Sequence, residues 1–144
     1  MKNWIPFLLL AASVGCTAAP SQPSLPIIHP KVFSLVDCWI SDTASPVVTE
    51  FSLDAVRRNR NQFDYDAIRV EHGWISADDE EECLRYRVIK QHGNTYVLEF
   101  QNTGGGSFTS RSIIACMLLT RRIEVDGKEQ DVQVVRITGH DDRP

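Results

Sequence analysis

The sequence predicts an all-β domain, and three observations carry that expectation. From Lys31 onward apolar residues recur mainly with a period of two rather than 3.6, in runs rich in β-branched and aromatic side chains. Two pairs of runs are joined by strong turn residues, His92-Gly93-Asn94 and Asp126-Gly127. The runs are short and closely spaced, about seven or eight in all, which favours a single antiparallel meander closed as a barrel or stacked as a sandwich.

Taken in order, Lys31–Ser41 places Phe33, Leu35 and Trp39 on one face and Val32, Val36, Cys38 and Ile40 on the other. Apolar residues on both faces predict a strand covered on both sides. After Pro46, Val47–Leu53 alternates again and reads as a strand, although Val48, Phe51 and Ala55 also fit helical spacing. Arg57–Asn61 is a polar loop, and Phe63–Trp74 is a strand with an irregularity. Ser76–Glu82 is acidic, read as a solvated loop or a short capped turn beginning at Ser76.

The cleanest alternation follows. Leu84, Tyr86 and Val88 interleave with Arg85 and Arg87, and Tyr96, Leu98 and Phe100 return, so Cys83–Gln101 is a β-hairpin. Asn102–Ser107 is a flexible loop. Ile113–Leu119 is a continuous apolar run, read as a strand buried on both faces. Arg121–Val125 and Lys128–Ile137 form a second hairpin, with Asp126-Gly127 as a type I′ turn.

The residues before this domain read as an address. Met1–Gly15 has one Lys, an apolar stretch from Trp4 to Leu10 and then small residues, the layout of an export signal. That stretch is too short to cross a bilayer core of roughly 30 Å as a permanent helix. Ser13-Val14-Gly15-Cys16 resembles the lipobox of bacterial lipoproteins, with Ser13 standing where that family usually has Leu. The resemblance implies a diacylglyceryl group on the Cys16 thiol, cleavage before Cys16 by signal peptidase II and acylation of the new amine. It further implies the periplasmic face of the outer membrane, because Thr17 rather than Asp follows the cysteine. Ordinary signal cleavage after Ala18 is the alternative, with Cys16 and Ala18 in the small-residue places, and a cytosolic chain with an apolar N-terminus is a second.

Residues 17–30 hold four of the seven prolines, Pro20, Pro23, Pro26 and Pro30. Proline cannot donate a ladder hydrogen bond, so this stretch is expected to be an extended tether. The expected organisation is therefore a signal at 1–15, acylated Cys16 with a tether to residue 30, a β domain at 31–141 and a short tail at 142–144. Trp39 in the first run and Phe51-Ser52-Leu53-Asp54 in the second are similar to small lipocalin-like domains of bacterial envelope proteins. That likeness implies a barrel of meander order, with a cup for a small apolar ligand or merely a filled core.

Composition narrows the function. With Lys2 removed, 14 basic residues face 19 acidic ones, a mature charge of about −5. Such a surface is a poor match for a phosphate backbone, so no nucleic-acid partner is expected. Three cysteines remain beyond Cys16 and allow three pairings; Cys38–Cys116 is the expected disulfide, because both lie in strongly apolar runs. No C-x-x-C pair or clustered histidine points to metal, and no cofactor is expected. His29, His72, His92 and His140 are expected at the surface. Gly104-Gly105-Gly106-Ser107 lacks the Lys-Ser/Thr of a phosphate loop, and no G-x-S-x-G elbow is present, so no catalytic residue is named. Asp78–Glu82 lacks the spacing and the turn glycine of a calcium loop, leaving a solvated run or a contact for a basic partner. Arg57, Arg58 and Arg60 form the opposite patch, solvated, paired with acids of the same chain or facing lipid headgroups.

The expectation is thus a membrane-anchored, non-enzymatic protein-binding module of the periplasm, an assembly factor, inhibitor or immunity-type protein. A lipocalin-like carrier of a small apolar ligand is the alternative, motivated by the barrel spacing and by Trp39 and Trp74. An enzyme would need a His–acid or carboxylate pair brought together from distant strands.

Overall fold

The computed structural model describes residues 24–41, 50–78, 82–104 and 108–143, with the side chains of residues 37–41, 125, 142 and 143 outside the description. Its centre is one antiparallel sheet of seven strands: β1 (Glu50–Ser52), β2 (Ile68–Glu71), β3 (Trp74–Asp78), β4 (Glu82–His92), β5 (Thr95–Gly104), β6 (Thr109–Val125) and β7 (Lys128–Arg143). The order across the sheet is β1-β7-β6-β5-β4-β3-β2, a consecutive meander from β2 to β7 with β1 added beyond β7. The all-β reading and the antiparallel meander hold. The barrel does not form, because β1 and β2 are the two edges of the sheet.

The hairpins are where the turn residues place them. Asp126 and Gly127 have φ of 53° and 72°, the positive pair that a two-residue type I′ turn requires, and β6 and β7 pair from Val125↔Lys128 outward. β4 and β5 pair from His92↔Thr95 to Glu82↔Gly104, with Ile89 extra where the register shifts between Val88 and Lys90. A third hairpin replaces the single irregular strand expected over Phe63–Trp74. Tyr65–Ala67 is a 3-10 turn, and β2 and β3 are joined at His72-Gly73, with φ of 50° and 80°. The acidic run expected as a loop from Ser76 is partly strand, since Ser76–Asp78 belongs to β3 and Glu82 to β4.

Two runs read as strands are helices. Lys31–Ser41 belongs to α1 (Pro30–Ser41), not to a doubly covered strand. Val32, Phe33, Val36, Trp39 and Ile40 are spaced i, i+1, i+4, i+7 and i+8, a helical stripe that also scatters apolar residues over both parities. Pro30 starts this helix, where its fixed φ and missing N–H are harmless. Of the expected strand Val47–Leu53, only Glu50–Ser52 is strand; Val47–Thr49 lies outside the described residues. Leu53–Arg58 forms α2, capped by Ser52, whose Oγ accepts from the Ala55 N–H.

Both helices cover one face of the sheet. Val32, Phe33 and Val36 of α1 and Leu53 and Val56 of α2 pack with Leu84, Tyr86, Leu98, Phe100, Ile114, Cys116, Val135 and Ile137 in one cluster. Phe33 meets Tyr86 edge-on at 4.8 Å between ring centroids. The domain starts earlier than residue 31: Ile28 and Pro30 are fully buried, and the Ile28 N–H donates to the Tyr86 hydroxyl at 3.0 Å. That bond pins the chain to the middle of the sheet just before the first helix.

Candidate functional site

Alternation sends every second residue of the sheet to the face that no described helix covers. On β4 these are Arg85 and Arg87, on β5 Glu99 and Gln101, and on β6 Arg111 and Ile113. Register brings them together, with Arg87 opposite Glu99 and Arg85 opposite Gln101, and with Gln101 opposite Arg111 and Glu99 opposite Ile113. Trp74 of β3 completes the group. Its ring lies under the guanidinium groups of both Arg85 and Arg87, each 4.6 Å from the ring centroid.

Glu99 is the centre. Its Oε2 accepts from Arg87 Nε at 2.8 Å and lies 2.6 Å from the second Arg87 nitrogen; its Oε1 is 3.1 Å from Arg111 and accepts from Gln101 Nε2 at 2.9 Å. Gln101 in turn accepts from Arg85 at 2.7 Å. The Glu99 side chain is 8% exposed, whereas those of Arg87 and Arg111 are 44% and 56% exposed, so the carboxylate lies beneath its own partners. Burial pushes its pKa up, but the bonds from Arg87 and Gln101 and the charges of Arg87 and Arg111 outweigh that and hold it below the ordinary carboxylate range. The cluster has three arginines against one acid, net positive on an acidic chain, above a half-buried aromatic ring. Aromatic and arginine side chains at a fixed, partly desolvated position are the residue types that anchor protein–protein contacts.

The same face continues over β6 and β7 with Ala115, Met117, Leu119, Val132 and Val134. It ends in a second ion cluster, where Glu50 of β1 pairs with Arg121 of β6 and with Arg136 of β7. Those bonds hold the short edge strand to the sheet.

A cleft of about 250 Å³ opens on the helix side, lined by His29, Lys31, Asp64, Asp78 and Glu82 among others. Here a histidine and carboxylates from distant elements converge, and the histidine is committed elsewhere. His29, expected at the surface, is buried, its ring 5.6 Å from that of Phe63 and 5.7 Å from that of Tyr65. Its Nδ1 accepts from the Lys31 N–H at 3.2 Å, capping α1, and the Asp64 backbone carbonyl holds the other ring nitrogen. Burial lowers its pKa more than Asp64 raises it, so the ring stays neutral. Asp64 caps the 3-10 turn through the Asp66 N–H, and Asp78 pairs with Arg69 at 3.1 Å.

The remaining sequence-derived positions are not gathered at either place. Cys16 lies outside the described residues. The expected Cys38–Cys116 disulfide is not seen; Cys116 is a free thiol sealed in the core, its pKa pushed up to about 12 by burial, and the side chain of Cys38 lies outside the description. The pairing rested on two apolar strands, and the first of them is a helix. Cys83 is also a free thiol, half-buried. Trp74, which motivated the ligand-carrier reading, stands on the outer face, and the helix-side core is filled by Tyr86, Tyr96, Phe33 and Phe100. Among the described residues, no three His, Cys, Asp or Glu side chains converge to hold a metal ion, and no helix is long and apolar enough to cross a membrane. The Glu99 network was missed because its members are far apart in sequence; the alternation Arg85–Arg87 against Glu99–Gln101 was its only signal. Compared with known proteins, the chain matches no family model, no curated protein and no solved structure.

Proposed function

We propose that this chain is a lipid-anchored envelope protein whose β domain is a non-enzymatic protein-binding module, docking its partner on the outer face of the sheet. The observation that carries the reading is the Trp74–Arg85–Arg87–Glu99–Arg111 network. It is a rigid, net-positive platform on an aromatic base, joined to half-buried apolar residues of β6 and left open by both helices. The partner it suits presents carboxylates around an apolar centre. The anchor is Cys16, through the lipobox resemblance, with the periplasmic face of the outer membrane as its place; a partner among envelope proteins follows from that address. The open edges of the sheet and the filled helix-side core among the described residues favour this reading over a carrier of a small apolar ligand.

The test is a photo-crosslinking amino acid placed at Ile113, in the middle of the outer face, and at Glu129, on the far hairpin. The reading expects a discrete adduct from Ile113 alone, lost when Arg111→Glu reverses the charge beside it. Identical adduct patterns from both positions, or one indifferent to Arg111→Glu, would refute it.

A further inference from the structure

The described arginine side chains of this domain divide into two groups. Arg69, Arg87, Arg111, Arg121, Arg122 and Arg136 each pair with a carboxylate, and Arg85 is held by Gln101 and Trp74. Among the described residues, no carboxylate lies within ion-pair distance of Arg57, Arg58 or Arg60. All three are exposed, and they line a single cleft between α2 and β7 together with Asp54, Gln130 and Val132. In a chain with 19 acidic and 15 basic residues, three neighbouring guanidinium groups around the single Asp54 carboxylate, which among the described residues pairs with none of them, leave net positive charge at one spot. Arg58 does turn to Asp54, but to its backbone carbonyl, which carries no net charge. Three fork-shaped donors around an open cleft suit a phosphate oxygen cluster.

The position of this cleft selects the source of that phosphate. Arg57 lies by the hydroxyl of Tyr65, and the Tyr65 ring meets that of His29 edge-on at 5.7 Å. His29 is only five residues beyond Ser24, so the arginines stand on the side where the chain enters the domain. Ser24 is eight residues beyond Cys16, and at roughly 3.6 Å per residue that stretch spans no more than about 29 Å. A lipid on Cys16 would therefore keep this side of the domain close to a bilayer. We propose that the α2–β7 cleft is a headgroup site, in which Arg57, Arg58 and Arg60 seat the domain on anionic phospholipid. This leaves the Trp74 network, on the β3, β4 and β5 part of the sheet, for protein partners.

The proposal rests on the anchored reading, but its test does not require acylation. Full-length protein carrying Cys16→Ser, and therefore unlipidated, is mixed with vesicles of equimolar phosphatidylglycerol and phosphatidylcholine or of phosphatidylcholine alone, and the bound fraction is measured by flotation. Residues 1–23 are common to every variant and cancel in the comparison. The expected result is a clear preference for the anionic vesicles that fades as salt rises and the Debye length shrinks. Arg57→Gln/Arg58→Gln/Arg60→Gln should lose about a hundred-fold of that preference, roughly a factor of five per arginine near an anionic surface. Arg122→Gln, on the hairpin of β6 and β7, should change it less than about two-fold. An unaltered melting temperature keeps the triple variant interpretable, and Arg60→Gln, beyond the end of α2, serves where the triple variant unfolds, with an expected loss of about five-fold.

Equal binding to both vesicle types, or retention of the preference by the folded arginine variants, would overturn the proposal. So would displacement from vesicles by low-millimolar inorganic phosphate at constant ionic strength, which would assign the cleft to a soluble anion. If the native chain proves unacylated while the arginine-dependent preference persists, the anchor reading fails and the headgroup site stands.

Discussion

Replacing Glu99 with Gln tests whether the outer-face network is a built feature. The substitution keeps the shape of the side chain and removes its charge. In the wild type two oxygens take four contacts, two from Arg87, one from Arg111 and one from Gln101. Gln offers one oxygen, and its amide N–H groups would face guanidinium or amide donors. Breaking a fully buried ion pair costs about 3–5 kcal/mol. Here Arg87 and Arg111 are about half exposed and recover water when released, which screens the loss and brings it to about 1–2 kcal/mol.

The pH dependence sharpens the test. The carboxyl has a lower pKa folded than unfolded, so its contribution is complete above the unfolded value near 4.3 and is lost as pH falls through the folded value. The assay is urea unfolding of wild type and Glu99→Gln at neutral pH and at a series of acid values. The difference should be about 1–2 kcal/mol at neutral pH, with an unchanged denaturant slope, and should shrink towards zero in acid as the wild type itself becomes neutral there. A difference below about 0.3 kcal/mol at neutral pH, or one that does not change with pH, would show that the Glu99 charge does not hold the network together.

Three further outcomes are expected. Tyr86→Phe leaves the packing against Phe33 intact but orphans the buried Ile28 N–H, and should cost about 1–3 kcal/mol by the same unfolding assay. His29→Ala removes the acceptor that caps α1, at about 0.5–2 kcal/mol plus lost ring packing. It should also remove a pH dependence: the folded ring has a lowered pKa, so wild-type stability is full above about 6.5 and falls as pH drops towards the folded value, and the variant should lack that fall. Phe33→Ala empties the centre of the helix–sheet core and should cost about 3–5 kcal/mol, seen as a large drop in melting temperature.

The legible part of the fold is the part built from local rules. Asp126-Gly127 and the polar–apolar alternation of β4 and β5 fix two hairpins, because a two-residue turn and a period of two are written in neighbouring residues. α1 was misread because Val32, Phe33, Val36, Trp39 and Ile40 satisfy both a doubly covered strand and a helical stripe. Pro30 at the first helical position, together with the length of the run, favours the helix. Closure into a barrel depends on whether β1 and β2 meet, and nothing local decides that. The candidate site divides the same way. That Arg85, Arg87, Glu99 and Gln101 point away from the core is readable from alternation. That Glu99 takes Arg87 and Arg111 together depends on register across three strands. The burial of His29 was hidden because its partners, Phe63 and Tyr65, lie more than thirty residues away.

The anchor is the claim on which membrane placement and the choice of an envelope partner rest. Intact-mass analysis of the chain purified from the envelope of a bacterial host tests it most directly. The expected result is a mature protein beginning at Cys16 and carrying diacylglyceryl and acyl mass, replaced by full-length precursor when signal peptidase II is inhibited. An N-terminus at Ala19 without added lipid, or processing that the inhibitor leaves unchanged, would contradict it.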